Sequence, residues 1–169
     1  MSSQVLIDQV SVPALDAFVR LLRAHAATTR ALSADLVAEH GLTINDYEAL
    51  LHLSRADDQR MRRVDLAGLL ILTASGVTRL LDGLERAGYV EKATCDSDNR
   101  VTYAVLTDAG REAAERGFPV YTELQTRLFQ EHVSDEEAEL LVRIWHRVLD
   151  ANGMACEPIT AAAEQLPAG

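Results

Sequence analysis

Cysteine is nearly missing from this chain. Cys95 and Cys156 stand far apart, with no Cys-x-x-Cys and no Cys/His spacing of the usual zinc patterns. A disulfide framework is excluded by that count, and reduced, unlinked thiols are expected. The five histidines, His25, His40, His52, His132 and His146, are scattered without a His-x3-His pair, so no metal site is expected. No run of eighteen apolar residues occurs, and "MSSQVLIDQVSVP" lacks the basic start and apolar core of a signal peptide. A cytoplasmic protein with no membrane association follows as the expectation. Also missing are a nucleophile elbow with a Ser/His/Asp order, a glycine-rich phosphate loop and paired metal ligands. No enzyme and no cofactor are therefore expected.

With only four prolines and 48% hydrophobic residues, the 169-residue chain fits one largely helical domain with a sizeable core. The balance of 26 acidic against 16 basic residues gives a formal net charge of -10, which argues against general attraction to nucleic acid. The charge is unevenly spread. From Arg55 to Arg111 there are nine basic and nine acidic residues, so this stretch is neutral and the flanks hold the whole excess of acid.

Apolar residues Leu15, Phe18, Val19, Leu22, Leu32, Leu36 and Val37 recur at roughly helical intervals from Pro13 to His40, and Gly41 offers a stop. Thr43 with Asp46 three positions on gives a capping-box-like start to a second helix, with Ile44, Tyr47, Leu50 and Leu51 on one face, running to about Ala56. "DDQRMRR" has no apolar periodicity and reads as a linker before a short third helix holding Val64, Leu66, Ala67, Leu69 and Leu70. Two strands, Tyr89 to Thr94 and Val101 to Leu106, flank the polar turn "CDSDNR". Thr107 caps the next helix, with breaks expected near Gly117 and Pro119. Ser134 and Glu137 form a capping box for the last, which ends at Gly153. The tail, with two prolines and little periodicity, is expected to be disordered.

The most informative stretch is "TASGVTRLLDGLERAGYVEK", residues 73 to 92. On a helical wheel Val77, Leu80, Leu81 and Leu84 share one face, whereas Ser75, Arg79 and Arg86 point the other way and Thr78 sits at the flank. A short helix, a turn around Ile71 to Thr73 and a helix buried on one side make a helix-turn-helix, whose second helix enters the DNA major groove N-terminus first. Small residues Ala74, Ser75 and Gly76 would then let its N–H groups approach phosphate closely. A strand, turn and strand directly after form a wing, and Arg100 at its turn could enter the minor groove.

"LAGLLILTASGVTRLLDGLERAGYVEK", followed by "DNR" and "LTDAG", resembles the multiple-antibiotic-resistance regulators, the MarR family. The resemblance spans about residues 13 to 150. It implies a mainly α fold with a small β-hairpin wing, a winged helix-turn-helix that is dimeric through its N- and C-terminal helices. It implies a single domain at 13–150, with the winged part at about 43–106 between dimerisation helices at 13–40 and 107–150, a flexible N-terminus at 1–12 and a flexible tail at 151–169. It also implies a sequence-specific transcriptional regulator, an effector-responsive repressor that binds double-stranded DNA with inverted-repeat operators as a homodimer. Ala74, Ser75, Thr78, Arg79 and Arg100 would contact DNA. The family's wing typically reads Asp-x-Arg-Asp-x-Arg. Here Asp98 and Arg100 match its second half, while Cys95 and Ser97 stand where the first Asp and Arg would be. Asp98 would support the wing and not touch DNA, since a carboxylate facing phosphate is repelled.

Leu140, Leu141, Ile144, Trp145 and Val148 form a stripe too wide for one neighbour. With Leu15 and Phe18 they are the expected dimer contacts. Family members often release DNA when a small aromatic acid binds between their dimerisation and DNA-binding parts. A pocket of His25, Thr29, Tyr47 and His52 could hold such an effector, although residues of these types are more often packing with satisfied polar ends. Cys95 is flanked by Asp96 and Asp98, which disfavour a reactive thiolate. The alternative function is a winged-helix protein-interaction module without specific DNA binding.

Overall fold

The helix ends written into the sequence are where the chain turns. The computed structural model describes residues 11–153 apart from 71, 96 and 97. The expected flexible segments at either end therefore lie largely outside the described residues. Helix α1 (Val12–His40) starts on Pro13 in its first turn and ends at Gly41, whose φ of 69° is left-handed and whose N–H donates back to Val37 O. Helix α2 (Ile44–Arg55) carries the expected capping box: Thr43 Oγ1 accepts from Asp46 N at 3.2 Å and Asp46 Oδ2 accepts from Thr43 N at 2.9 Å.

Where a linker was expected, the chain instead makes a strand. Asp58 and Gln59 adopt φ of 53° and 52°, which reverses the backbone out of a short 3-10 turn (Asp57–Gln59). Arg60–Arg62 then forms strand β1, with Met61 inward and both arginines outward. After helix α3 (Arg63–Leu69) come helix α4 (Ala74–Arg86) and strands β2 (Val90–Cys95) and β3 (Asp98–Leu106). The sheet is antiparallel with order β1-β3-β2, registering Met61 against Ala104 and Val90 against Leu106. The expected hairpin thus exists, but as two strands of three. A register shift between Thr94 and Cys95 bulges its outer end.

Helix α5 (Asp108–Leu128) corrects a second expectation, because it runs unbroken through Gly117 and Pro119. Pro119 cannot donate to the carbonyl four residues back, but that carbonyl belongs to exposed Glu115, where water can replace the lost bond. Gly117 is present for space. A Cβ there would lie 2.7 Å from Cε2 of Tyr47, whose ring stacks on Tyr121 one turn further along at a centroid distance of 5.2 Å. After a 3-10 turn (Gln130–His132), helix α6 (Asp135–Ala151) opens on the expected Ser134–Glu137 box.

Two apolar clusters hold these elements. The larger joins Leu50, Leu53, Leu66, Val77, Leu81, Leu84, Val90 and Ala104 to Ala113 and Ala114 of α5. The smaller joins Leu36, Ile44 and Tyr47 to Leu32, Val120 and Tyr121. The first half of α5 is therefore seated on the winged part and the second half on α1, where Arg127 also reaches Asp35 at 3.1 Å.

Candidate nucleic-acid interface

Helix α4 is held from one side only. Val77, Leu81 and Leu84 are buried and Leu80 is half-buried, while Ser75, Arg79 and Arg86 are exposed. Thr73 caps the helix by accepting from Gly76 N at 3.1 Å, and its hydroxyl lies 3.2 Å from that of Ser75. Gly76 has a local reason besides closeness to a partner, since a Cβ there would sit 3.3 Å from Thr73 Oγ1 and 3.5 Å from Leu72 Cβ. The cap folds back over the helix start and leaves little room. Arg79 Nε donates to Ser75 O at 3.4 Å, which lays the guanidinium back along the exposed face toward the helix start. Only the backbone of Ala74 is among the described features.

Thr78 is half-buried and engaged: its hydroxyl accepts from Nη2 of Arg63, the first residue of α3. Sequence reasoning missed Arg63, because the pairing spans fifteen positions and no local pattern announces it. It also missed Lys92, which reaches from β2 to Asp82 at 2.8 Å and Glu85 at 2.6 Å on α4. These hydrogen bonds hold the Lys92 ammonium above its ordinary range, and the Lys92 bond holds the Asp82 carboxyl below its own. Arg63 on one flank and Lys92 on the other tie α4 to its neighbours.

The wing projects beside this helix. Asp98 pairs with Cys95, and Arg100 is the third residue of β3, so it belongs to the strand and not to the turn where the sequence placed it. The side chains of residues 95 to 100 lie outside the described ones. At the base of the sheet the guanidinium of Arg60 lies over the Tyr103 ring at 5.3 Å.

The suggested effector residues are only partly brought together. His25 is exposed, Thr29 and His52 are half-buried, and Tyr47 is fully buried with a hydroxyl that finds no hydrogen-bond partner. Burial holds the Tyr47 phenol well above its ordinary range, and the neighbouring Tyr121 adds to this. Burial lowers His52, helped by the charge of Arg55. Glu48, not anticipated, stands among them with its carboxyl raised by burial and partly offset by His25.

The terminal helices present unpartnered apolar surface. Leu15, Phe18 and Leu22 of α1 are about half exposed, as are Leu140 and Val148 of α6, and α6 has no buried residue at all. Leu141, Ile144 and Trp145 are half-buried. Among the described residues no cluster of three or more His, Cys, Asp or Glu could hold a metal ion, and no helix is long and apolar enough to cross a membrane.

A short helix, a turn, a one-sided helix and a three-stranded sheet with a projecting hairpin define a winged helix-turn-helix. Comparison with known proteins narrows this. The MarR family model matches residues 42–102, from the end of the first loop into β3. The HTH-type transcriptional regulator YkoM of Bacillus subtilis is 30% identical over 104 residues, which is 62% of this chain and 66% of that protein. The chain thus spans slightly under two thirds of that relative's length. The crystal structure of AbsC, a MarR family transcriptional regulator from Streptomyces coelicolor, superposes with a TM-score of 0.77 at 29% identity, covering 84% of this chain and 95% of that one. Sco3205 from the same organism, a MarR family regulator solved in complex with DNA, has the same fold, with a TM-score of 0.79 at 23% identity over 84% of this chain and 89% of that one. Residues 42–102 thus match the MarR family model, and the fold over most of the chain is the one seen in MarR family transcriptional regulators.

Proposed function

We propose that the protein is a homodimeric, sequence-specific DNA-binding regulator that represses its target genes. The observation that carries this reading is the exposed polar face of α4, with Ser75 and Arg79 aligned beside a projecting wing, on a helix otherwise locked into the core. Arg79, Ser75 and the start of α4 at Ala74 enter the major groove. Thr78 acts at the edge of this face, Arg100 serves the minor groove and Asp98 orients the wing. The neutral stretch from Arg55 to Arg111 keeps this face from repelling phosphate in a chain of net charge -10.

Exposed Leu15, Phe18, Leu140 and Val148, with half-buried Leu141, Ile144 and Trp145, support a seam between two copies, because a helix without one buried residue needs a partner to hold its apolar stripe. The single domain at 13–150 divides accordingly into a winged part and dimerisation arms, and catalysis has no place in this reading. An aromatic acid effector near His25, Thr29 and His52 would need Tyr47 to move, since that side chain is sealed in the packing. A cytoplasmic location suits a DNA-binding regulator.

Selection of bound duplexes from random sequence, followed by fluorescence anisotropy at several salt concentrations, tests the reading. Enrichment of an inverted repeat, bound with affinity that falls steeply with salt, is expected. If no duplex is enriched and binding to DNA is absent at low salt, a protein partner for the same face becomes the better account.

A further inference from the structure

Between α4, the start of α3 and the root of β3 lies a notch of about 320 Å³, walled by Val77 and Val101 and edged by Arg62, Arg63, Thr78 and Thr102. Among the described residues no carboxylate lines it, in a chain that is strongly acidic overall. Arg62 is already matched, its Nε donating to Asp65 Oδ2 at 2.6 Å and its Nη2 to Oδ1 at 2.9 Å. Arg63 differs. Its Nη2 donates to the Thr78 hydroxyl, and among the described residues no carboxylate stands within ion-pair distance of it. A guanidinium carries five N–H donors in a planar fork, so most of its donors remain available beyond Thr78.

The position of the notch matters as much as its charge. A helix in the major groove and a wing in the adjacent minor groove are separated by one sugar–phosphate strand, since one strand divides those two grooves. That strand must cross between α4 and the wing, over the gap bounded by Thr78 on the helix and Thr102 on β3. Arg63 stands there with no ion pair among the described residues, although Asp82 of α4 is near enough to feel its charge.

We propose that Arg63 is a phosphate-positioning residue, which clamps the DNA strand running between recognition helix and wing while its bond to Thr78 fixes the angle at which α4 enters the groove. This rests on the DNA-binding reading above and adds to it the residue that sets register. A bidentate guanidinium–phosphate contact carries no base information, so its loss weakens binding to every sequence alike.

The test uses the full-length protein, a duplex selected by that protein from random sequence, and a scrambled duplex of equal composition. Arg63→Ala is expected to lose roughly tenfold in affinity on both duplexes and to lower the salt slope by about 0.9 per clamp lost. Arg63→Lys keeps the charge and should retain the wild-type slope, and Thr78→Val should change affinity without changing the slope. Thermal melts confirm that each variant is folded. A wild-type slope in Arg63→Ala, or a loss confined to the selected duplex, would overturn the phosphate assignment and leave Arg63 only a brace for α4. Failure of the wild type to bind either duplex would instead remove the DNA reading itself, and the clamp with it.

Discussion

Gly110 is the third residue of α5, and replacing it by alanine places a methyl group against backbone. The added Cβ would lie 2.1 Å from Tyr89 O, 3.0 Å from Tyr89 C and 2.8 Å from Leu106 Cδ1. Rotating a side chain cannot relieve the first of these, and Tyr89 O is also the acceptor for Thr107 N at 3.1 Å. Either α5 lifts from the end of β2, or the Thr107 cap that accepts from Gly110 N at 3.1 Å opens. Overpacking in a tight site costs about 1–3 kcal/mol and sometimes more, and losing a cap about 1 kcal/mol. The better helix propensity of alanine returns about 1 kcal/mol. The steric term wins, and Gly110→Ala should lose roughly 1–3 kcal/mol, which for a chain of this size is about 2–12 °C in melting temperature. The assay is a thermal melt at fixed protein concentration, because the melting temperature of the proposed dimer would depend on it. Gly83→Ala is the control: nothing lies within 4 Å of its added Cβ, so it should gain up to about 1 kcal/mol. A Gly110→Ala protein melting at or above the wild type would refute the close approach on which the seating of α5 rests.

Four further outcomes follow from the same physics. Arg79→Ala should weaken binding to the selected duplex by about 1–3 kcal/mol, measured by anisotropy, with little change in melting temperature. Trp145→Glu places a charge in the proposed seam and should give monomer or aggregate by light scattering, and an unchanged dimer would move the interface elsewhere. Tyr47→Phe removes a buried hydroxyl that has no partner and should be neutral or stabilising by about 1 kcal/mol in a denaturant titration. Glu48 has a folded pKa raised above its unfolded one, so the stability tied to its protonated form is present at acid pH and lost as pH rises through the folded value. Glu48→Gln should therefore raise the melting temperature at pH 8 and have little effect at pH 4.

What could be read from the sequence was what short-range chemistry decides. Thr43–Asp46 and Ser134–Glu137 mark helix starts because both partners of each box lie within four residues, and the Val77, Leu81, Leu84 face follows from helical period alone. Strand β1 could not be read that way. Three residues with one inward side chain carry no period, and Arg60–Arg62 is a strand only because β3 runs beside it. Pro119 looked like a break because the local rule is sound, yet the lost bond falls on the solvent side, and Val120 and Tyr121 pack the helix onto α1 regardless. Gly117 looked like a break in sequence and Gly110 stood only in the run "LTDAG", yet both serve close approach, to the Tyr47 ring and to Tyr89 O. At the interface, Ser75 and Arg79 were legible from the wheel, whereas the partners that brace α4, Arg63 and Lys92, come from elements fifteen and ten positions away from their contacts.

The most direct test of a dimeric winged helix-turn-helix on DNA is a hydroxyl-radical footprint of the wild-type protein on its selected duplex. Two protected patches related by a two-fold axis are expected, their centres about one helical turn or a multiple apart, each flanked by minor-groove protection from a wing. A single unsymmetrical patch, or uniform cleavage at saturating protein, would contradict the account.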